Sequence, residues 1–148
     1  MSWKKLLQDN KVHRHATSRK EVAEIRRLVA RDLADAALAA LSEDRRFATA
    51  YNAALQTAKM AVACAGYRIA SVPGHHSLTF EGAKLALGKP AEQLAGYFDA
   101  CRRKRNEIDY TGAVIATRTE ADELLLHAKS FLKLVESWIA SAHPALKV

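Results

Sequence analysis

The segment 101–110 concentrates the side chains of this sequence that are most able to do chemistry. It places four cations beside an amide, carboxylates and a phenol, near the end of a predicted helix. At helical spacing Arg105 shares one face with four apolar residues, namely Leu94, Phe98, Cys101 and Ile108. Burying an unpaired guanidinium is costly, so Arg105 must be paired or must line a groove. An arginine in a groove beside an amide and a phenol is suited to binding phosphate.

The same residues also have a purely structural interpretation. Arg105 and Asp109 are four residues apart, as are Arg102 and Asn106, so each pair can interact along a helix surface. Such pairs stabilise a helix by about 0.2–0.5 kcal/mol each and require no ligand. Both interpretations remain open at the level of the sequence.

Length and composition predict one helical domain. The chain has 148 residues, of which 49% are hydrophobic, and only three prolines and six glycines interrupt it. No apolar run approaches the roughly 18–20 residues needed to cross a bilayer, and the N-terminus lacks the features of a secretory signal. We therefore expect a cytoplasmic protein without membrane association. Cys64 and Cys101 fall on apolar helical faces and are predicted to be buried and reduced.

The positive charge is concentrated near the N-terminus. The formal net charge is +7, and residues 1–31 hold nine cations against three anions. A basic segment of this kind attracts polyanions by releasing counterions, although it also serves simply to keep a protein soluble.

The hydrophobic spacing predicts an all-α protein, an up-and-down four-helix bundle. Long helices are predicted over 18–41, 42–69, 90–110 and 117–142, with short additional helices near 1–10 and 79–87. Ser18 and Glu21 form a capping-box pattern, Thr117 or Thr119 can cap the last helix, and Gly112 suits a helix end. We predict a basic N-terminal arm at 1–17 and a helical-bundle domain at 18–148.

This organisation resembles the HEPN superfamily (higher eukaryotes and prokaryotes nucleotide-binding) from about Arg31 to Trp138. Three segments carry the resemblance, at 31–36, at 65–68 with Gly74-His75-His76, and at 102–110. The last is the most specific. The family signature is an arginine, usually followed by a polar residue such as asparagine, and then a histidine four to six residues further on. Arg105-Asn106 matches the first half of that signature.

The histidine of the signature is missing. The corresponding positions hold Tyr110, Thr111 and Gly112. Tyr110 is a poor general base at neutral pH because its unperturbed pKa is about 10. His75 and His76 are candidates to replace the base; alternatively, one of them caps a helix or packs against Tyr67 while the other is solvated.

What the resemblance implies is a homodimer of small helical bundles that acts on RNA without a metal. In that family the arginine holds phosphate and the histidine assists proton transfer at the 2′-hydroxyl. Carried onto this chain, the candidate catalytic residues are Arg105, Asn106 and Tyr110, and the candidate phosphate-binding residues are Arg102, Arg103, Asp109, His75 and His76. We predict no metal site and no cofactor.

Three functions follow from these observations. The first is an HEPN-like RNA- or nucleotide-binding protein, a toxin–antitoxin or defence component with weak metal-independent ribonuclease activity and a cognate antitoxin as partner. The second is a non-catalytic dimeric protein-interaction module. The third is a DNA-binding helical protein that uses residues 1–31, which is disfavoured because no helix-turn-helix spacing is evident.

Overall fold

The computed structural model describes residues 1–112 and 115–148, and 75% of the chain is helical. Its helices and strands are, in chain order, α1 (Trp3–Gln8), β1 (Val12–Arg14), α2 (Arg19–Ala36), α3 (Glu43–Cys64), β2 (Tyr67–Ile69), α4 (His75–Leu87), α5 (Glu92–Thr111) and α6 (Arg118–Ala142). Short 3₁₀ helices cover Lys89–Ala91 and Pro144–Leu146. The predicted all-α class is confirmed.

Helix α3 is the centre of the fold. It contacts α2, α4, α5 and α6, and fourteen of its 22 residues are buried. Many of these residues are alanines, which let the neighbouring helix axes approach closely. Larger apolar side chains from the surrounding helices complete the core, among them Phe80, Phe98, Phe131 and Ile139. The residues that α3 presents to α4 and α5 are therefore held in a rigid setting.

The predicted helix caps are present, except that the Ser18 capping box is only half formed, because the Glu21 carboxylate bonds Thr17 and His15 instead of the Ser18 backbone. The Ser18 hydroxyl accepts the backbone N–H of Glu21 at 3.1 Å. Thr117 and Glu120 form a reciprocal capping box at the start of α6. Gly112 adopts a left-handed conformation at φ +65° and ends α5 as expected.

Three helix boundaries were predicted wrongly. Helix α3 ends at Cys64 rather than at 69, because Gly66 takes φ +98° and turns the chain into β2. Helix α2 ends at Ala36 rather than at 41, which leaves the short connection needed before Ser42 caps α3. Helix α4 begins at 75 rather than at 79, so that both candidate histidines are helical.

A two-stranded sheet was not predicted. β1 pairs antiparallel with β2, and the register sets Val12 opposite Ile69. Within the N-terminal segment 1–17, Leu6 and Val12 are both buried. The proposed division of the chain after residue 17 stays a prediction.

Candidate functional site

Arg105 lies on α5 where that helix faces α3. One guanidinium nitrogen, Nη1, is 3.1 Å from Oδ2 of Asp109, and Nη2 donates to Oδ1 of Asn52 at 3.4 Å. The guanidinium carbon is 5.7 Å from the ring centre of Tyr51. Only 23% of the side chain is exposed, and its buried Nε has no hydrogen-bond partner among the described residues. The cation expected on an apolar stripe is therefore paired, as its burial requires, while one donor remains unused.

His76, in the first turn of α4, lies beside Tyr51, the residue that Arg105 also contacts. Its Nδ1 is 3.3 Å from the hydroxyl of Tyr51, which is fully buried on α3. Burial, aided by the neighbouring His75 and by Arg105, lowers the pKa of His76 to about 4. Burial raises the pKa of the Tyr51 phenol, so both groups are neutral at pH 7.

The start of α4 is fixed by local bonds. Gly74 takes φ +80° ahead of the helix, and both the backbone N–H and the Nδ1 of His75 lie 3.1 Å from the carbonyl of Val72. The His75 ring is exposed and meets His76 edge-on, with 4.5 Å between ring centres. The interpretation that one histidine packs on Tyr67 is wrong in detail, because His76 packs beside Tyr51 instead.

Arg102 lies one turn before Arg105 on α5. Its Nε donates to Oδ1 of Asp99 at 3.2 Å, rather than to the predicted partner Asn106. The same carboxylate oxygen of Asp99 accepts a hydrogen bond from the Ser77 hydroxyl at 2.5 Å. This chain of contacts ties α5 to α4 beside His76.

We call Tyr51, His76, Arg102 and Arg105 the arginine–histidine cluster. It combines two guanidinium groups with a neutral imidazole and a neutral phenol. Each guanidinium contacts one carboxylate, and those carboxylates are themselves 43% and 45% exposed. Because a half-exposed carboxylate rotates away at little cost, such a cluster can receive an anionic oxygen.

Tyr110, Arg103 and the side chain of Asn106 form no hydrogen bond or salt bridge with this cluster in the described part of the chain. Tyr110 is 87% exposed, Arg103 is exposed, and Asn106 is half-buried without a hydrogen bond to the described part of the chain. Their functional roles stay predictions. Tyr51 and Asn52 were not singled out from the sequence.

Residues 115 and 116, just before α6, are held by Asp44, which is 8% exposed. Its carboxylate accepts the backbone N–H groups of Ile115, at 3.1 Å, and of Ala116, at 2.7 Å. Lys104 adds a salt bridge to Glu120 in the first turn of α6. These contacts join the start of α6 to α3 and α5.

Other kinds of site find little support in residues 1–112 and 115–148. In those ranges no group of three or more His, Cys, Asp or Glu side chains is arranged to hold a metal. No described helix is long and apolar enough to span a membrane. Cys64 and Cys101 are buried free thiols, and burial raises the pKa of Cys64 to about 11.

The comparison with protein families identifies the chain. The model of the HEPN domain matches residues 23–138, a span that contains α3, α4, α5 and the whole arginine–histidine cluster. No curated protein and no solved structure matches the sequence. The match covers most of the chain and agrees with the helical fold, and we conclude that this protein belongs to the HEPN domain family.

Proposed function

We propose that this protein binds RNA, or a nucleotide, and that Arg105 and Arg102 bind one of its phosphate groups. The observation that carries this proposal is the arginine–histidine cluster, in which Arg105 and the neutral His76 both contact Tyr51 and Arg102 lies near enough to act on both electrostatically. Guanidinium groups hold phosphate oxygens through paired, charge-assisted hydrogen bonds. The HEPN resemblance implies the same substrate class, and it further implies membership of a toxin–antitoxin or defence system.

Any cleavage depends on His76, since no histidine occupies 110–112. In the cleavage step the base removes the 2′-hydroxyl proton, the 2′ oxygen attacks phosphorus, and the 5′ oxygen leaves with a proton returned from the protonated base. For Nε2 of His76 to act as the base, Nδ1 must carry the hydrogen and donate it to the Tyr51 oxygen. A base with a pKa of about 4 is weak at neutral pH. A positioned base typically contributes about 10²–10⁴-fold, so we expect slow cleavage and appreciable binding.

The test compares Arg105→Ala with Arg118→Ala. Arg118 is exposed on α6 and forms no salt bridge with a described residue, so its removal controls for lost positive charge. We expect Arg105→Ala to weaken binding of a single-stranded RNA about tenfold or more beyond the control, because it removes a bidentate contact. Thermal melting should show both variants folded. Equal RNA affinity of the two variants would contradict the proposal.

A homodimer with α5 in its interface is proposed from the family resemblance. Tyr110, a large aromatic side chain that is 87% exposed at the end of α5, supports this position for the interface. Light scattering should give a mass near twice 16.3 kDa. A monomer at every concentration would refute the dimer.

The alternative function is a non-catalytic interaction module, with a cognate antitoxin or another protein as its partner. Two observations favour it: Arg102 and Arg105 already pair with carboxylates, and the signature histidine is replaced by exposed Tyr110. A complex that forms without RNA and is lost in Tyr110→Ala, while Arg105→Ala leaves RNA behaviour unchanged, would select this function.

A further inference from the structure

A cavity lies beside the small sheet, where residues of α2, α3 and β2 line it. Its volume is about 370 Å³, within the usual range of about 300–1,000 Å³ for ligand pockets. Its floor is apolar, with Val62, Ala63 and Ile69. Its polar lining includes His15, Glu21, Gln56, Lys59 and Arg68.

Glu21 is the one carboxylate among these lining residues, and its oxygens already have hydrogen-bond partners. Oε1 of Glu21 accepts the Thr17 hydroxyl at 2.7 Å and lies 2.8 Å from Nε2 of His15. These bonds, with a smaller contribution from Arg68, hold the pKa of Glu21 below its usual value. Glu21 is therefore an ionised wall group whose oxygens are engaged by its own neighbours.

Lys59 and Arg68 supply the positive charge of the cavity. Both side chains are exposed, and neither forms a salt bridge with any residue in the described ranges. They differ in this respect from Arg102 and Arg105, each of which has a carboxylate within 3.2 Å. An anion that enters the cavity would meet two cations without displacing a partner.

The cavity and the cluster lie along one face of α3. Asn52, Gln56 and Lys59 follow steps of four and three, and Asn52 is the residue that accepts a hydrogen bond from Arg105. At a rise of about 1.5 Å per residue, Lys59 lies about 10 Å along the helix from Asn52. A single strand of RNA can therefore contact both the cavity and the arginine–histidine cluster.

We propose that this cavity is a second nucleotide subsite of the RNA-binding surface. Lys59 and Arg68 hold the phosphate of a nearby nucleotide of the same single strand, and the apolar floor with Tyr67 receives its base. The Tyr67 ring is fixed in advance, because it stacks on Trp3 with 4.1 Å between ring centres and 8° between planes. Base contact with apolar and aromatic walls, together with phosphate contact by cations, is how sequence-tolerant single-strand binding is built. The inference rests on the proposed phosphate site and adds a second contact point to it.

The test uses the full chain and a six-nucleotide single-stranded RNA, with affinity followed by fluorescence anisotropy at several salt concentrations. The double variant Lys59→Ala/Arg68→Ala is compared with Lys129→Ala/Lys133→Ala, which removes the same charge from exposed positions of α6. We expect about tenfold weaker binding than the control. The slope of log affinity against log salt should fall by roughly 1.4, because two phosphate contacts on a single strand are lost.

Two results separate the failure of this inference from the failure of the proposed function. If the two double variants bind the RNA equally while Arg105→Ala still loses affinity, the second subsite is refuted and the phosphate site survives. If Arg105→Ala retains full affinity, the proposed function itself is overturned.

Cross-linking gives an independent test that needs no variant. A 4-thiouridine-labelled hexanucleotide, irradiated on the wild-type protein, should attach within residues 67–71. Cross-links confined to residues 92–111 would overturn the inference.

Discussion

Asp109→Asn provides a sensitive test of whether the Arg105 guanidinium is available to a phosphate. In the free protein Asp109 contacts Nη1 of Arg105 at 3.1 Å and leaves 45% of its own side chain exposed. If Arg105 holds phosphate, the Asp109 carboxylate competes for the same guanidinium and repels the incoming anion. Removing its charge should then strengthen RNA binding, whereas a purely structural ion pair predicts no gain.

The magnitudes follow from the geometry of the pair. Losing a surface i, i+4 pair costs about 0.2–0.5 kcal/mol, while removing an anion near the C-terminus of α5 returns about 0.3–1 kcal/mol. The free energy of unfolding should thus change by between about −0.2 and +0.8 kcal/mol. Two anions on one guanidinium lie roughly 5 Å apart and repel by about 0.8 kcal/mol in water, which predicts an RNA affinity about fourfold tighter.

The assay is fluorescence anisotropy at low salt with single-stranded RNA, accompanied by thermal melting. Glu107→Gln is the matched control, because Glu107 is exposed on the same helix and forms no salt bridge with a described residue. Glu107→Gln should raise the RNA affinity only slightly, because it removes a negative charge that does not contact Arg105. An Asp109→Asn variant that binds no more tightly than Glu107→Gln would refute the idea that phosphate and Asp109 share Arg105.

Two further predictions concern stability. Asp44→Ala should lower the free energy of unfolding by about 2–4 kcal/mol in urea titration, since it leaves the buried backbone N–H of Ala116 and the partly buried N–H of Ile115 without an acceptor. A loss below about 0.5 kcal/mol would show that water replaces the carboxylate. Between about pH 6.5 and pH 4, His76 is neutral in the folded protein but charged in the unfolded chain. The free energy of unfolding should therefore decrease as the pH falls from about 6.5, and this decrease should end near the folded pKa of about 4. The wild type should therefore lose on the order of 1 kcal/mol more than His76→Asn over that interval. Parallel curves for wild type and His76→Asn would contradict the burial of His76.

The sequence predicted the helices well because their signals are local. Helical spacing and caps act within a few residues, so Ser18 and Gly112 mark real boundaries. The errors arose where spacing continues by chance past a break: Ile69 fits the period of α3, yet Gly66 turns the chain and Ile69 pairs with Val12. Strands of only three residues carry too little alternation to be recognised from sequence.

The candidate site was predictable only in part. The apolar-stripe position of Arg105 correctly indicated that the guanidinium needs partners, and the predicted pair with Asp109 is present. The partners Tyr51 and Asn52 are more than 50 residues away in the chain, so no local pattern could reveal them. The meeting of His76 with Tyr51 depends likewise on the packing of α4 against α3.

Total charge is a poor guide to where this protein would bind an anion, because pairing decides which cations are available. Many cations lie in residues 1–31, but Arg26 is engaged by Glu136 and by the carbonyl of Leu146, and Arg19 donates to the carbonyl of Ala145. These arginines hold the C-terminal segment in place and are less free to meet nucleic acid. That use of the basic segment weakens the DNA-binding hypothesis, which relied on its charge. Lys59 and Arg68, which line the cavity beside the sheet, form no salt bridge with a described residue. Arg102 and Arg105 form ion pairs with half-exposed carboxylates. Both sets of cations lie beside α3, so we expect RNA to bind at the central helix rather than at the basic N-terminus.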